Sequence, residues 1–162
     1  MARSIALSRG LFALVDDEDY DRVTAIGKWY ADPSGKTFYA RKNFWRDGSY
    51  TSIRMHALIT GIDNVDHANG NGLDNQKSNL RPATGSQNCQ NRGIRSDNSS
   101  GFKGVYWSRQ RGKWVASIWF DGRERHLGVF TDPAAAAHAY DAAAHKAFGE
   151  FARPNFPEEI AP

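Results

Sequence analysis

Apolar and polar positions along the chain change period repeatedly, and each change predicts a new element. In SIALSRGLFALV, apolar residues flank Arg9-Gly10, which predicts two short strands joined by a turn. The acidic run that follows predicts a helix over 18–26, capped by Asp17. KWYADPSGKTFYARKNF carries aromatic and apolar runs on either side of Pro33-Ser34-Gly35, a hairpin pattern. SIRMHALIT is an apolar run that can close as a short helix before Gly61.

The pattern then turns polar. NVDH reads as the end of a strand, ANGNG as loop, and SNLRPAT as a second extended segment. Thr84 precedes Gln87 at capping-box spacing and predicts a helix over 85–92, closed by Gly93. Strand, loop, strand and helix thus follow within one short stretch. RSDNSSGFKG marks a boundary near residue 98. Beyond it, GVYWS, KWVASIWF and RERHLGVF predict three antiparallel strands, the last two joined at Asp121-Gly122. Asp132 caps a helix starting at Pro133 and ending at Gly149, with Ala136, Tyr140, Ala143 and Ala147 as its packing face. In the middle strand, alternation turns Trp114, Ala116 and Ile118 toward this helix and Val115, Ser117 and Trp119 away from it. His126 points outward by the same rule. Trp107, Trp114, Phe130 and Tyr140 are expected in the core.

Charge adds a partner class. Of 162 residues, 21 are Lys or Arg and 18 are Asp or Glu, for a formal charge of +3. The excess gathers between Lys77 and Arg125, where Asp97, Asp121 and Glu124 are the only acids. Such a field suits a polyanion, and it also suits an ordinary solvated surface. Cys89 is the only cysteine, which excludes a disulfide within the chain and fits a reducing compartment. No apolar run reaches membrane-spanning length, and the first residues lack a cleavable leader pattern, so the expected place is the cytoplasm with no membrane partner.

The central stretch concentrates the chemistry. Phosphodiester hydrolysis needs a proton acceptor near neutral pH, which histidine provides. It also needs positive charge on the phosphoryl oxygens, which a hard cation held by oxygen ligands provides. Asp66, His67 and Asn88 offer that set; taken as an isolated dipeptide, Asp66-His67 reads as a surface turn or an ordinary hydrogen-bonded pair. No Cys/His cluster has zinc spacing.

The longer text VDHANGNGLDNQKSNLRPATGSQN resembles the HNH endonuclease family, in particular its free-standing, phage-type homing branch, whose core is a ββα-metal hairpin and helix. The resemblance implies His67 as general base and Asp66 as metal ligand. It implies Asn79, twelve residues after His67, as the central asparagine that holds the loop and orients the base. Asn88, twenty-one after His67, falls where a last histidine often sits, and implies an oxygen-type ligand for Mg2+ or Mn2+. Asn75 matches a loop-fastening position. Asn91 is left between the outer shell of the metal, DNA and the helix cap. His56, in RMHALITG, is either a phosphate contact or site support, or a partly buried histidine satisfied by backbone. Arg54 and Arg81 are candidate phosphate contacts, Arg81 the better placed of the two.

Residues 102–156 resemble the plant ethylene-response-factor DNA-binding domain of the Apetala type, through GV, GKW, LGVF, AYDAAA and the closing NF. That family lays its three-stranded sheet in the major groove, which implies DNA contacts from Lys103, Arg109, Arg111, Lys113, Ser117, Trp119, Arg123, Arg125 and His126. Tyr106 and Trp119 stand where plant members commonly have arginine, and the first turn is one residue longer, so the plant target sequence does not carry over.

The expectation is therefore an α+β protein. Residues 1–97 form an HNH nuclease domain with an amino-terminal α+β extension and a ββα-metal core at about 60–93. Residues 98–157 form a three-stranded antiparallel sheet on one helix that binds DNA. The expected function is a site-directed, homing-type endonuclease cutting one or both strands of double-stranded DNA with Mg2+ or Mn2+. It is expected as a monomer on DNA with no obligate protein partner. The rival is a non-catalytic, sequence-specific DNA-binding or transcription-regulatory protein.

Overall fold

Strands β1 (Ala2–Ala6) and β2 (Phe12–Asp16) pair antiparallel across a short 3-10 turn, Ser8–Gly10, in which Arg9 and Gly10 take φ of 63° and 67°. The coordinates are those of a computed structural model, which describes residues 1–157. Helix α1 (Asp17–Ala25) begins one residue before the sequence expectation, with Asp16 at its N-cap. The Asp16 carboxylate does not close the cap; it accepts the backbone N–H of Lys77 at 2.8 Å. The acids of the first turn, Asp17, Glu18 and Asp19, suit the positive end of the helix dipole. Strands β3 (Tyr30–Ser34), β4 (Thr37–Arg46) and β5 (Ser49–Arg54) form an antiparallel sheet in that order. Helix α2 (Met55–Thr60) follows directly and ends at Gly61, whose φ of 73° is the left-handed cap that glycine takes without strain. Ile5, Ala13, Val15, Val23, Trp29, Ala40, Met55 and Ile59 share one core, and the Trp29 indole donates to the Val23 carbonyl at 2.9 Å.

Next come β6 (Val65–His67), β7 (Leu80–Pro82) and α3 (Gly85–Gln90), two residues shorter than the helix expected over 85–92. Both halves of the capping box are made: Gln87 Oε1 accepts the Thr84 N–H at 2.8 Å, and Thr84 Oγ1 accepts the Gln87 N–H at 3.3 Å. The long loop between β6 and β7 leans on β2. Leu14 donates its N–H to the Leu73 carbonyl and accepts the Asn75 N–H, both at 2.8 Å. At Gly72 a side chain would meet the Phe38 carbonyl oxygen at 2.5 Å, so only glycine lets the loop pass this close to β4.

The chain divides into two compact units, Met1–Asn88 and a second beginning at Cys89. In the second, β8 (Val105–Ser108), β9 (Lys113–Phe120) and β10 (Arg123–Phe130) form an antiparallel sheet with β9 in the middle. Helix α4 (Pro133–Phe148) starts where expected, its Asp132 carboxylate accepting the N–H groups of Ala134 and Ala135. Ala136, Ala137, Tyr140 and Ala144 are buried, and small side chains let the helix lie close to the sheet. Asp141, unmarked by the sequence reading, is buried on this helix and accepts the backbone N–H groups of Asn155 and Phe156 at 2.8 and 2.9 Å. Val115 stands on the face turned from the helix, as alternation predicts, and is buried there between Tyr106 and Val129 of the flanking strands. One expectation changes. Trp107 is 46% exposed and packs edge-on against Trp114 rather than in the core. The α+β class, built from small antiparallel sheets and helices, is as the sequence predicted.

Candidate active site and nucleic-acid face

All three residues of β6 are buried, which sets an acid and an imidazole where water is scarce. Register pairs Asp66 with Arg81 and His67 with Leu80. Arg81 donates from Nε and Nη2 to Asp66 Oδ2, at 2.9 and 2.7 Å. The expected phosphate contact thus grips the expected metal ligand and fixes its carboxylate. Asn79 stitches the loop after His67: its Oδ1 accepts the Asn69 N–H at 3.0 Å, and its Nδ2 donates to the Asp74 carbonyl at 2.8 Å. Asn69 Oδ1 in turn accepts the Asn71 N–H at 2.8 Å, and Asn71 Oδ1 accepts that of Leu73 at 3.1 Å. The dense asparagines are therefore the wiring of an irregular loop, supplying partners that no strand or helix provides. On α3, Asn88 donates its Nδ2 to the Val65 carbonyl at 3.3 Å, which seats it beside the residue preceding Asp66. An amide held through its nitrogen keeps its oxygen for another partner.

Three rings meet at His67. Its centroid lies 5.2 Å from that of His56 on α2 and 5.5 Å from that of Tyr39 on β4, both edge to face, and Tyr39 and His56 are 5.9 Å apart. Arg54 lies over the Tyr39 ring at 5.1 Å. Burial pulls the His67 pKa below the ordinary histidine range, against the nearby Asn75 amide and the Asp66 and Asp74 carboxylates. Asn75 is wholly buried and close enough to favour the protonated ring. Among the described residues, neither of its amide atoms has a partner in hydrogen-bonding geometry. Burial, then His67 and Arg54, push His56 down to about 4, against the Asp63 backbone. Both imidazoles are thus neutral at pH 7, and a neutral His67 can accept a proton. Of the readings open for His56, its ring contact places it as a neighbour of His67. Tyr39 carried no local signal, since only the tertiary fold brings β4 to this point.

Among the described residues, no group of three or more His, Cys, Asp or Glu side chains is gathered to hold a metal. Oxygen donors at β6 include the Asp66 carboxylate and the Asn88 amide, and the Asp74 carboxylate lies near enough to act on His67. That donor chemistry fits a hard divalent cation that keeps much of its water, and it does not fit zinc.

In the second unit, register divides the expected DNA contacts. Lys113, Ser117 and Trp119 share the sheet face turned from α4, with His126 opposite Ser117. Trp119 is 68% exposed and Tyr106, on the same face, 48%. Glu124, opposite Trp119, brings a carboxylate there that the sequence reading left out. Arg123 and Arg125 pair with Phe120 and Ile118, which places them on the helix-side face, and Arg125 lies over the Phe120 ring at 5.1 Å. A β-bulge falls between His126 and Gly128, in β10, and β9 keeps Trp119 outward. Arg109 and Arg111 are exposed in the turn between β8 and β9. Lys103 is committed within its unit, donating its ammonium to the carbonyls of Gln90 and Arg92. Burial, then Arg153, pull its pKa down to about 8, against Asp141. Asn91 is buried, and its carbonyl accepts from Arg153 at 3.5 Å.

Comparison with known proteins gives one relative that covers most of the chain and others that cover part of it. An uncharacterized HNH endonuclease of Acanthamoeba polyphaga mimivirus is 32% identical over 149 residues, 91% of this chain and 76% of that protein. Protein 3.8 of Escherichia phage T7 is 34% identical over 63 residues, 39% of this chain and 52% of that protein. An APETALA2-like protein 2 of Oryza sativa is 46% identical over 65 residues, 40% of this chain and 15% of that protein. No family model matches the chain, and no solved structure does.

Proposed function

The chain belongs to the HNH endonuclease family, and from that premise we propose that it is a site-directed, metal-dependent nuclease of double-stranded DNA, of the homing type. The observation that carries this reading is the buried His67, adjacent to the Asp66 carboxylate on β6, with the Asn88 amide held against the same strand. His67 takes the proton of a water whose oxygen attacks phosphorus, and the bond to the 3′ oxygen breaks, leaving 5′-phosphate and 3′-hydroxyl ends. Asp66 and Asn88 would hold Mg2+ or Mn2+, which when bound offsets charge on the phosphoryl oxygens. Arg81 fixes the Asp66 carboxylate, and Asn79 fixes the loop that follows the base.

Residues 1–97 carry the nuclease and residues 98–157 place it. In the placing module, Lys113, Ser117, Trp119 and His126 face bases, while Arg109 and Arg111 anchor phosphates. Likeness to the APETALA2-like proteins supports a DNA-binding role for this part. The protein acts in the cytoplasm as a monomer on DNA. Supercoiled plasmid incubated with Mg2+ or Mn2+, or with chelator, tests the reading. Metal-dependent nicked circles are expected from the wild type and none from His67→Ala. A retarded but uncut plasmid from the wild type would instead mark a DNA-binding protein without nuclease activity.

A further inference from the structure

One exposed face of the β3–β4–β5 sheet has no role in the chemistry above. Alternation turns Ala40 of β4 into the core and leaves Tyr39, Arg41, Asn43 and Trp45 on the other side. Register adds Arg54, Ser52 and Tyr50 of β5 opposite Arg41, Asn43 and Trp45. Asn43, Trp45, Tyr50, Ser52 and Arg54 are all exposed, so this face is open. At its outer end Trp45 and Tyr50, 66% and 74% exposed, pack edge to face at 5.6 Å. At its inner end Arg54 lies over Tyr39, whose ring touches His67.

We propose that this face is a second DNA-contacting surface, with the Trp45–Tyr50 pair as an aromatic anchor on the duplex flanking the cut. The occupant follows from charge and position. By alternation the face itself presents Arg41 and Arg54, with Asp32 beside Arg41. Lys42 and Arg46 lie on the other side of the hairpin with Asp47 next to Arg46, so the hairpin as a whole keeps the positive balance a phosphate backbone draws. Arg41 is steered by Asp32 and Ser52, at 3.2 and 2.9 Å, which holds its guanidinium along the open face. Two exposed rings held edge to face are a rigid apolar element of the kind that lies in or wedges a groove. The strip is continuous with the base. From Trp45 to Tyr39 the strand covers about 20 Å at about 3.3 Å per residue, roughly six base-pair steps of duplex. A duplex whose scissile phosphate sits at His67 therefore reaches the anchor about six base pairs away.

The inference uses the nuclease reading only to say where the cut lies, and its test does not need cleavage. The full chain is used, without divalent metal, to select a duplex from a random pool. Hydroxyl-radical footprints on that duplex are then compared for the wild type, Trp45→Ala/Tyr50→Ala and, as a control for loss of an exposed ring, Phe12→Ala. The double variant is expected to bind about tenfold more weakly. It should also lose one patch of protection, about six base pairs from the nick mapped with Mg2+. The rest of the footprint should stay, and Phe12→Ala should match the wild type. An unchanged footprint in the double variant overturns the proposal, as does a chain that selects no duplex. So does a DNA-free dimer that the double variant disperses, which would make the face a contact between copies. A wild-type chain that fails to nick removes the nuclease reading alone, because the protection patch is read without cleavage.

Discussion

Residue scale comes down to what surrounds one imidazole. With its pKa pulled below 6.5 by burial, His67 keeps its proton-accepting form into mildly acidic solution. The acid limb of the pH–rate profile is therefore expected below the ordinary histidine value, and a limb at or above 6.5 would contradict it. His67→Ala should lower the cleavage rate by about 10²- to 10⁴-fold with DNA affinity unchanged, measured by single-turnover nicking and by gel shift. Asp66 needs a gentler change, because deleting the carboxylate strands the Arg81 guanidinium that it holds. Loss of one partner from a buried ion pair costs about 3–5 kcal/mol, so Asp66→Ala would confuse unfolding with lost chemistry. Asp66→Asn should melt nearer the wild type and still fail to cut. His56 gives a separate signature. Its folded pKa, about 4, lies below its unfolded value of 6.5, so the unfolded chain binds more protons between them. Stability from this site is unaffected above pH 6.5 and falls as pH drops toward 4, by about 3 kcal/mol in all. His56→Gln should flatten that part of a denaturant-midpoint against pH curve.

Element scale separates what the sequence could show from what it could not. Local signals were sufficient for the capping box at Thr84, the Asp132 cap with Pro133, and the turn at Asp121-Gly122, where φ is 57° and 72°. Asp132→Ala should cost about 1 kcal/mol, read as a lowered melting midpoint with an unchanged m-value. The two-residue turn also fixes register: Phe120 faces Arg123, so Arg123 and Arg125 fall on the helix side. Both are among the DNA contacts that the family resemblance implies, and the turn length already fixes the face on which they stand. Trp107, expected in the core, lies partly outside it. Alternation gives the face of a residue, but cross-strand neighbours decide its burial, and those need the whole sheet. In the candidate site, the spacing of Asp66, His67, Asn79 and Asn88 was readable. The ring contacts from Tyr39 and His56 were not, because they come from elements distant in sequence.

At the scale of the whole molecule, the basic stretch seen in the sequence proves unevenly available. Arg81 is bound to Asp66, Lys77 to Glu18 and Asp19, Arg95 to Asp97, and Lys103 to backbone carbonyls. Arg109, Arg111 and Lys113 remain exposed on the second unit. Binding by that unit should weaken with salt at a slope near −0.9 per phosphate contacted, and Arg109→Ala should shift all sequences alike. Substituting Ser117 or His126 should instead alter sequence preference, read by competition between selected and random duplexes. A second-unit fragment begun at Cys89 keeps the carbonyls that hold Lys103, whereas one begun at Ser99 loses them. The longer fragment is expected to be the more stable. The hydrogen bonds that Leu14 makes with Leu73, as donor, and with Asn75, as acceptor, bear on protein engineering. Every attempt to transplant the short metal hairpin as a cassette would leave behind the strand that shapes its loop. The transferable part is everything from Met1 to Asn88. An insertion or recombination joint placed just upstream of Asn64 would separate the donor motif from its scaffold while every motif residue survived.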